Sequence, residues 1–171
     1  SIDSCAADML KWVQFHLNHG AWEGKQLISE DSMQQMHRPN MILNAPLDMP
    51  MPETDFWSYG MGWFIESFRG HKLIQHGGNI NGFSGFTSFM PDLNLGVVAY
   101  TNMNGSYLHY ALGREIIDHY LGIEDGNWVQ RYHDFVAGRS ANAAKQILAM
   151  TGEQVPGTSP SHPMADYTGT F

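Results

Sequence analysis

The residues best suited to chemistry form one short stretch, His76-Gly77-Gly78-Asn79, between two strand-like segments. A histidine can donate or accept a proton near neutral pH. Two successive glycines weaken a strand and usually mark a place where another backbone or a ligand approaches closely. The stretch therefore predicts either a strand that binds substrate, or a glycine-rich hairpin whose histidine is merely bonded to a backbone carbonyl.

Strand-like segments flank this stretch on both sides. Residues 71–75 lead into it, residues 82–90 follow it, and residues 57–68 form a longer predicted strand before it. Residues 96–100 form a continuous apolar run, which suits a strand covered on both faces by helices. The pattern predicts antiparallel strands, with His76 at the end of one of them.

Two helices are predicted before these strands. Residues 1–18 carry apolar residues at three-to-four spacing, with Ser4 as the capping residue. His16 and His19 fall near the C-terminal end of this helix, where a positive charge is favourable. A second, shorter helix begins at Ser29.

Two more helices are predicted after the strands, at residues 107–121 and at residues 128–150, the latter with a break near Gly138. The spacing in the first of them indicates an apolar face made of Leu108, Ala111, Leu112, Ile116 and Tyr120. Helices on both sides of a set of antiparallel strands predict an α+β fold, an α/β sandwich in which helices flank an antiparallel sheet.

Composition narrows the range of functions. The chain of 171 residues is 43% hydrophobic and only 15% charged, which fits a packed domain or a large part of one. A net charge of -8 argues against a nucleic-acid partner. No run is long enough for a membrane span, and the single cysteine excludes an internal disulfide.

The histidines do not predict a metal site. There are nine of them, and none has a second ligand at a convincing spacing; the pair His16 and His19 alone is weak support for one. We therefore expect no metal and no cofactor, and a zinc-dependent hydrolase remains the least favoured of the possible enzymes.

Both ends of the chain look cut. The first residue is Ser1 and not methionine, and residues 167–171 resemble the opening strand of a further domain. We expect a domain over residues 1–151, followed by a linker and that strand over residues 152–171. Residues 38–56, rich in proline and methionine, predict a long connection that borders the site as a lid.

Five segments together resemble one known family. They are residues 7–12, 24–29, 59–63, 76–83 and 96–102. In order and spacing they resemble the C-terminal half of the serine hydrolase superfamily of class C β-lactamases, penicillin-binding proteins and related esterases. In that family Ser-x-x-Lys, Tyr-x-Asn and Lys-Thr-Gly motifs meet in one cleft.

The resemblance assigns only the third motif to this chain. His76-Gly77-Gly78 matches the His-x-Gly variant of Lys-Thr-Gly, whereas no Ser-x-x-Lys occurs. Tyr100-x-Asn102 fits the letters of the second motif but follows the third, so we treat it as a coincidence. The nucleophile and its base are therefore expected upstream of Ser1, although Ser84 is the nearest substitute within the chain.

The resemblance also implies a role for each site residue. Gly77 and Gly78 would leave the strand unobstructed for substrate, and Tyr59 would contact it. The backbone amide of Asn79 would donate to the oxyanion. His76 would orient a proton relay or bind a substrate carboxylate.

The resemblance thus predicts part of a serine hydrolase that forms an acyl-enzyme with an ester, amide or β-lactam. Its partners would be a small-molecule or peptide substrate and the upstream half of the same domain. The chain alone would be inactive, and it would either pair with that half or self-associate. The alternative is a catalytically silent module that binds peptides or a protein. The compartment is open, with export to the periplasm favoured by the resemblance only.

Overall fold

The computed structural model describes residues 2–44, 51–152 and 157–169. Its residues divide into two compact units, Ser1–Phe135 and Val136–Phe171. The helices are α1 Ala6–Leu17, α2 Glu30–Met36, α3 Leu108–Tyr120 and α4 Trp128–Gly152. The strands are β1 Ala21–Trp22, β2 Lys25–Gln26, β3 Met41–Leu43, β4 Thr54–Tyr59, β5 Phe64–Phe68, β6 His71–Ile80, β7 Phe83–Met90 and β8 Leu95–Thr101.

The main sheet of the described residues is antiparallel throughout and has the strand order β3-β4-β5-β6-β7-β8. Because each strand pairs with the next one in the sequence, the sheet is a simple meander. The small hairpin of β1 and β2 is separate from it. The mixed fold with an antiparallel sheet and flanking helices confirms the predicted fold class.

Helices cover the two faces of this sheet. Successive strand residues point to opposite faces, and the neighbours Leu73 and Ile74 belong to different apolar clusters. Ile74 packs with Val13 of α1, whereas Leu73 packs in a cluster with Ala111 of α3. On β8, Val97 belongs to the cluster that contains Ala111 of α3, and Val98 packs against the cluster that contains Val13 of α1, so the prediction that residues 96–100 form a strand covered on both sides is confirmed.

The prediction of one strand over residues 57–68 is wrong. Two strands, β4 and β5, occupy this segment and pair with each other, with Tyr59 opposite Phe64. The tight connection needs glycine at Gly62, which has a φ of 79°. A Cβ on Gly60 would lie only 2.6 Å from the carbonyl oxygen of Met36, so this position has no room for a side chain.

The described residues at both ends of the 38–56 segment include strands that were not predicted. Strand β3 lies within them and pairs with β4, and β4 itself begins at Thr54. Residues 45–50 lie outside the described part of the chain. The idea that this segment borders the site as a lid therefore stays a prediction.

The two N-terminal helices differ in how they begin. Ser29 caps α2 as predicted, because its hydroxyl accepts a hydrogen bond from the Ser32 amide. Ser4 does not cap α1, whose capping position is Cys5; the Cys5 side chain makes no capping bond to the helix backbone and contacts the Asp8 carboxylate instead. The Ser4 hydroxyl instead contacts the carbonyl of Cys5.

The predicted apolar face of α3 is wrong in all but one residue. Ala111 is buried, but the other four residues of the predicted face are exposed: Leu108, Leu112, Ile116 and Tyr120. The helix instead turns polar residues toward the sheet, among them Arg114 and Asp118, because both find ion-pair partners there.

Helix α4 has no break at Gly138, and it continues into the second unit. One helical glycine costs only about 1 kcal/mol relative to alanine, and the alanines after it favour helix. The predicted linker and final strand lie partly outside the described residues, at 153–156 and 170–171, so the boundary after residue 151 stays a prediction. No helix in the described ranges has the length and apolar character that crossing a bilayer requires.

Candidate active site

Strand β6 extends further than the sequence indicated, from His71 to Ile80. Up to Gln75 it lies between two neighbours, because Phe64 at the start of β5 pairs with Gln75. Beyond that point residues 76–80 pair with β7 alone within the described part of the chain. One edge of the strand is therefore open from His76 onward, and its backbone groups are available to an extended ligand.

Two hydrogen bonds hold the His76 ring at the start of this open edge. Its Nε2 lies 3.2 Å from the hydroxyl of Tyr59, and its Nδ1 lies 2.6 Å from the carbonyl oxygen of Gly77. Because a carbonyl only accepts, Nδ1 carries a proton and donates to Gly77, while Nε2 forms the hydrogen bond with the Tyr59 hydroxyl. The sequence analysis offered a bond from His76 to a backbone carbonyl as one interpretation. That bond is present, and the ring also contacts the Tyr59 hydroxyl.

Aromatic rings support this pair from one side. The ring of Phe64 lies 5.4 Å from the His76 ring and 4.8 Å from that of Tyr59. His76 is nevertheless solvent-exposed and Tyr59 only half-buried. The pair can thus meet a ligand without any rearrangement of the core.

The two glycines after His76 have different environments. A Cβ on Gly77 would lie 1.9 Å from the Tyr110 hydroxyl, so a side chain there would force the Tyr110 ring to move. A Cβ on Gly78 would meet nothing within 4 Å. Packing therefore explains Gly77, and only Gly78 keeps open space beside the strand.

Asn79 and Ser84 face each other across β6 and β7. The hydroxyl of Ser84 lies 2.6 Å from Oδ1 of Asn79 and 2.8 Å from the carbonyl oxygen of Met103. Ser84 is buried, and neither contacting oxygen is a base able to activate it. Ser84 thus fixes the Asn79 side chain and is unsuited to act as a nucleophile.

A buried ion pair supports the strands from behind, and the sequence analysis missed it. Arg114 of α3 donates from Nη2 to both carboxylate oxygens of Glu66 on β5, at 2.9 and 3.2 Å. Thr54 donates to the same carboxylate. Burial raises the pKa of Glu66, and the guanidinium opposes that rise. The available signal was an arginine and a glutamate inside two otherwise apolar segments.

A second buried polar pair contains His16, one of the two histidines that the sequence analysis considered and rejected as metal ligands. His16 is not an exposed residue at the end of α1, because its Nδ1 lies 2.9 Å from Nε2 of buried His37. Burial lowers the pKa of His16 to about 3 and that of His37 to about 4, so both rings are neutral near pH 7. Across the described residues, no group of three or more His, Cys, Asp or Glu side chains could hold a metal ion.

The sequence matches one family model along most of its length. The model described as Beta-lactamase matches residues 2–120. This chain belongs to the β-lactamase family. The matched region contains the whole main sheet of the described residues, with the open edge of β6 and the His76–Tyr59 pair.

Named relatives of this β-lactamase-family chain come from fungi and bacteria. It is 34% identical over 137 residues to the unguisins hydrolase ungD of Aspergillus violaceofuscus (strain CBS 115571), a match that covers 72% of this chain and 24% of that protein. It is 27% identical over 130 residues to protein flp of Staphylococcus aureus (strain NCTC 8325 / PS 47), covering 74% and 23%. The chain therefore spans about a quarter of the length of these curated relatives.

A solved structure shares the fold. The octameric penicillin-binding protein homologue from Pyrococcus abyssi matches with a TM-score of 0.58 and 19% sequence identity, over 71% of this chain and 25% of that chain. At this identity the match shows a common fold.

Proposed function

We propose that the full-length protein containing this chain is a serine hydrolase that forms an acyl-enzyme with an ester, amide or β-lactam substrate. This chain supplies the substrate-binding strand, the histidine and an oxyanion donor, and an upstream segment supplies the nucleophile. The observation that carries the proposal is the open edge of β6, which begins at His76, where the Tyr59 hydroxyl is bonded to the imidazole.

The open edge supports binding of a substrate in extended form. A peptide-like substrate can add its backbone to residues 76–80 as an extra strand, because one side of this segment has no partner strand among the described residues. Gly78 leaves room beside the backbone for the reacting carbonyl. In this arrangement the amide of Asn79 donates to the oxyanion, a contribution worth roughly 10²–10³ in rate.

The acyl-transfer step follows from these positions. The upstream serine oxygen bonds to the substrate carbonyl carbon, and its proton passes to the base that accompanies it. The leaving alcohol or amine departs with a proton as the acyl-enzyme forms, and water then releases the acid and restores the serine. His76 and Tyr59 share a hydrogen bond, and in this arrangement they lie beside the reacting atoms and orient the proton transfers.

The relatives support hydrolysis without naming the substrate of this chain. One relative is called a hydrolase of unguisins, so amide or ester bonds in small peptides are reasonable first substrates. The Pyrococcus homologue is octameric, and self-association of the full-length protein is therefore part of this proposal.

Two surfaces support the need for an upstream half. In the described residues, β8 pairs only with β7 and leaves its other edge free. Helix α3 also has an exposed apolar face, which includes Leu112 at 39% and Ile116 at 40% exposure. An exposed apolar patch of this kind often marks a surface that another segment covers.

The test is complementation. We expect the purified chain alone not to hydrolyse 4-nitrophenyl esters, and we expect addition of the upstream half to restore turnover that a serine-reactive phosphonate abolishes. Turnover by the chain alone, blocked by the phosphonate, would contradict our placement of the nucleophile outside it. A folded upstream half that binds but restores no turnover would instead favour the silent binding module.

A further inference from the structure

One row of residues crosses the sheet and ends at the open edge of β6. Tyr100 on β8 pairs with Gly85 on β7, and Gly85 pairs with Gly78 on β6. Directly paired residues of antiparallel strands have their side chains on the same face of the sheet. Among the described residues, β6 has no other neighbour at Gly78. The next member of the row would therefore be the residue of a bound strand that pairs with Gly78.

The row lies on the face of the sheet that α1 covers nearer the other end of β8. Side chains alternate between the two faces of a strand, and Ile74, four residues before Gly78, packs with Val13 of α1. A Cβ on Gly96 of β8 would overlap that Val13 side chain, whereas a Cβ on Gly78 would meet nothing within 4 Å. Helix α1 therefore stops short of Gly78, and among the described residues this face is uncovered there.

The ring of Tyr100 covers Gly85. A Cβ on Gly85 would lie 2.7 and 2.8 Å from two carbon atoms of that ring. A glycine in a strand leaves its backbone uncovered, and an aromatic side chain from the neighbouring strand can cover it, an arrangement known as aromatic rescue. The pair of Tyr100 and Gly85 is such an arrangement within this chain.

Gly78 is a second glycine of the same row, and no ring of the described residues covers it. It is exposed, and the space beside its backbone is empty on this face. Its neighbours toward the end of the hairpin are Ile80 and Phe83, which pair with each other and are 53% and 55% exposed. The uncovered backbone of Gly78 is thus bordered by the ring over Gly85 and by an exposed apolar pair.

We propose that Gly78 is a specificity site for an aromatic side chain of the substrate. This side chain belongs to the substrate residue that pairs with Gly78 when the substrate adds to β6 as an antiparallel strand. The inference deepens the proposed function and rests on it, because it takes the occupant to be part of the molecule bound along residues 76–80.

Geometry favours a ring over other apolar groups. A flat ring can cover the backbone of Gly78 as the Tyr100 ring covers Gly85. Neighbouring strands lie roughly 5 Å apart, so the two rings would be separated by about one strand spacing. Aromatic rings attract each other beyond their area burial at centroid distances of roughly 4.5–7 Å. Ile80, two residues along β6, lies within reach of the same ring.

The first test compares peptides that differ in one side chain. The full-length protein is titrated with N-acetyl-Gly-Gly-X-Gly-Gly-amide, in which X is phenylalanine, cyclohexylalanine or leucine. The flanking glycines let X take the position along β6 that it prefers. Peptides that stay intact are compared by Kd, and peptides that are cleaved are compared by kcat/KM. We expect phenylalanine to be preferred over cyclohexylalanine by about two- to tenfold, the effect of one aromatic pair, and leucine to be the weakest.

Variants of the row locate this preference. We expect Tyr100→Leu, which removes the bordering ring, to treat the phenylalanine and cyclohexylalanine peptides equally. Tyr100→Phe keeps the ring and should keep the preference. Tyr167→Leu removes a tyrosine ring of the second unit and should behave as the wild type. If Tyr100→Leu does not fold, Gly78→Ala takes its place, because its methyl group occupies the space where the substrate ring would lie.

The outcomes separate this inference from the proposed function. Equal treatment of the phenylalanine and cyclohexylalanine peptides by the wild type, or no binding of either, overturns the aromatic site. A preference that survives in a folded Tyr100→Leu or Gly78→Ala variant, or that is lost in Tyr167→Leu, also overturns it. A phenylalanine preference in Kd, in a protein that hydrolyses no ester or peptide, supports the site and contradicts the hydrolase. Hydrolysis without the preference supports the hydrolase and overturns the site.

Discussion

His76 has two hydrogen-bond partners. The Nδ1–H group donates to the Gly77 carbonyl oxygen, and Nε2 forms a hydrogen bond with the Tyr59 hydroxyl. These two contacts fix the orientation of the ring at the start of the open edge.

Removal of the Tyr59 hydroxyl tests this arrangement. We expect Tyr59→Phe to lower kcat/KM of the full-length enzyme about three- to tenfold, the effect of one neutral hydrogen bond, with an unchanged melting temperature. Tyr100→Phe is the control, because Tyr100 belongs to the coincidental motif on β8. A larger loss in Tyr100→Phe than in Tyr59→Phe would mean that the wrong tyrosine has been assigned.

The His16–His37 pair predicts a loss of stability in acid. Burial, and then the charge of the neighbouring ring, lowers the pKa of His16 from 6.5 to about 3; burial also lowers that of His37 to about 4. Below pH 6.5 the unfolded chain therefore binds protons that the folded chain does not. Folding stability contributed by the neutral pair is present above pH 6.5 and falls as the pH approaches 4 and then 3.

Urea unfolding followed between pH 7 and pH 4.5 measures this effect. We expect the free energy of unfolding to fall by about 2 kcal/mol or more over this range. The variant His133→Ala, which removes an exposed histidine, should show the same fall. If His16→Leu retains the wild-type pH dependence, the pair is not its source.

At the scale of elements, α3 limits which residues β6 can contain. Tyr110 of α3 occupies the space that a side chain at position 77 would need. Arg114, one turn later on the helix, pairs with Glu66 on β5. One side chain of the helix, that of Tyr110, thus contacts the strand at position 77, directly after His76.

The two glycines of β6 give a matched pair of substitutions. Gly77→Ala should lower the free energy of unfolding by about 1–3 kcal/mol, because the methyl group overpacks against the half-buried Tyr110. Gly78→Ala should leave stability unchanged, since nothing lies within 4 Å, yet it should lower activity by obstructing the substrate. Equal melting temperatures for the two variants would contradict this packing.

The same elements show what local pattern can and cannot predict. The strand segments, the Ser29 cap and the site stretch were visible in the sequence, because alternation, capping and glycine placement are local signals. The buried face of α3 could not be predicted in this way. Arg114 pairs with Glu66 on β5, 48 residues away, and Asp118 pairs with Arg69, 49 residues away, so the burial of both depends on distant parts of the sequence. The Tyr59–His76 contact across β4, β5 and β6 was hidden for the same reason.

At the scale of the whole molecule, the proposed function divides the active site between two segments of the protein. In that proposal the open edge of β6 and the His76–Tyr59 pair supply donors and a proton-transfer group, and the upstream half supplies the nucleophile. The exposed face of α3 and the free edge of β8 are the surfaces on which that half would pack. His76 of this chain is therefore expected to be essential for an acylation reaction whose nucleophile lies outside the chain.

The acylation rate of the full-length protein tests this claim most directly. Stopped-flow measurement of nitrophenol release from a 4-nitrophenyl ester compares the wild type with His76→Ala, and with His119→Ala as an exposed-histidine control. The account predicts a loss of about a hundredfold or more in His76→Ala, at an unchanged melting temperature, and no loss in His119→Ala. Near-wild-type acylation by a folded His76→Ala variant would contradict it.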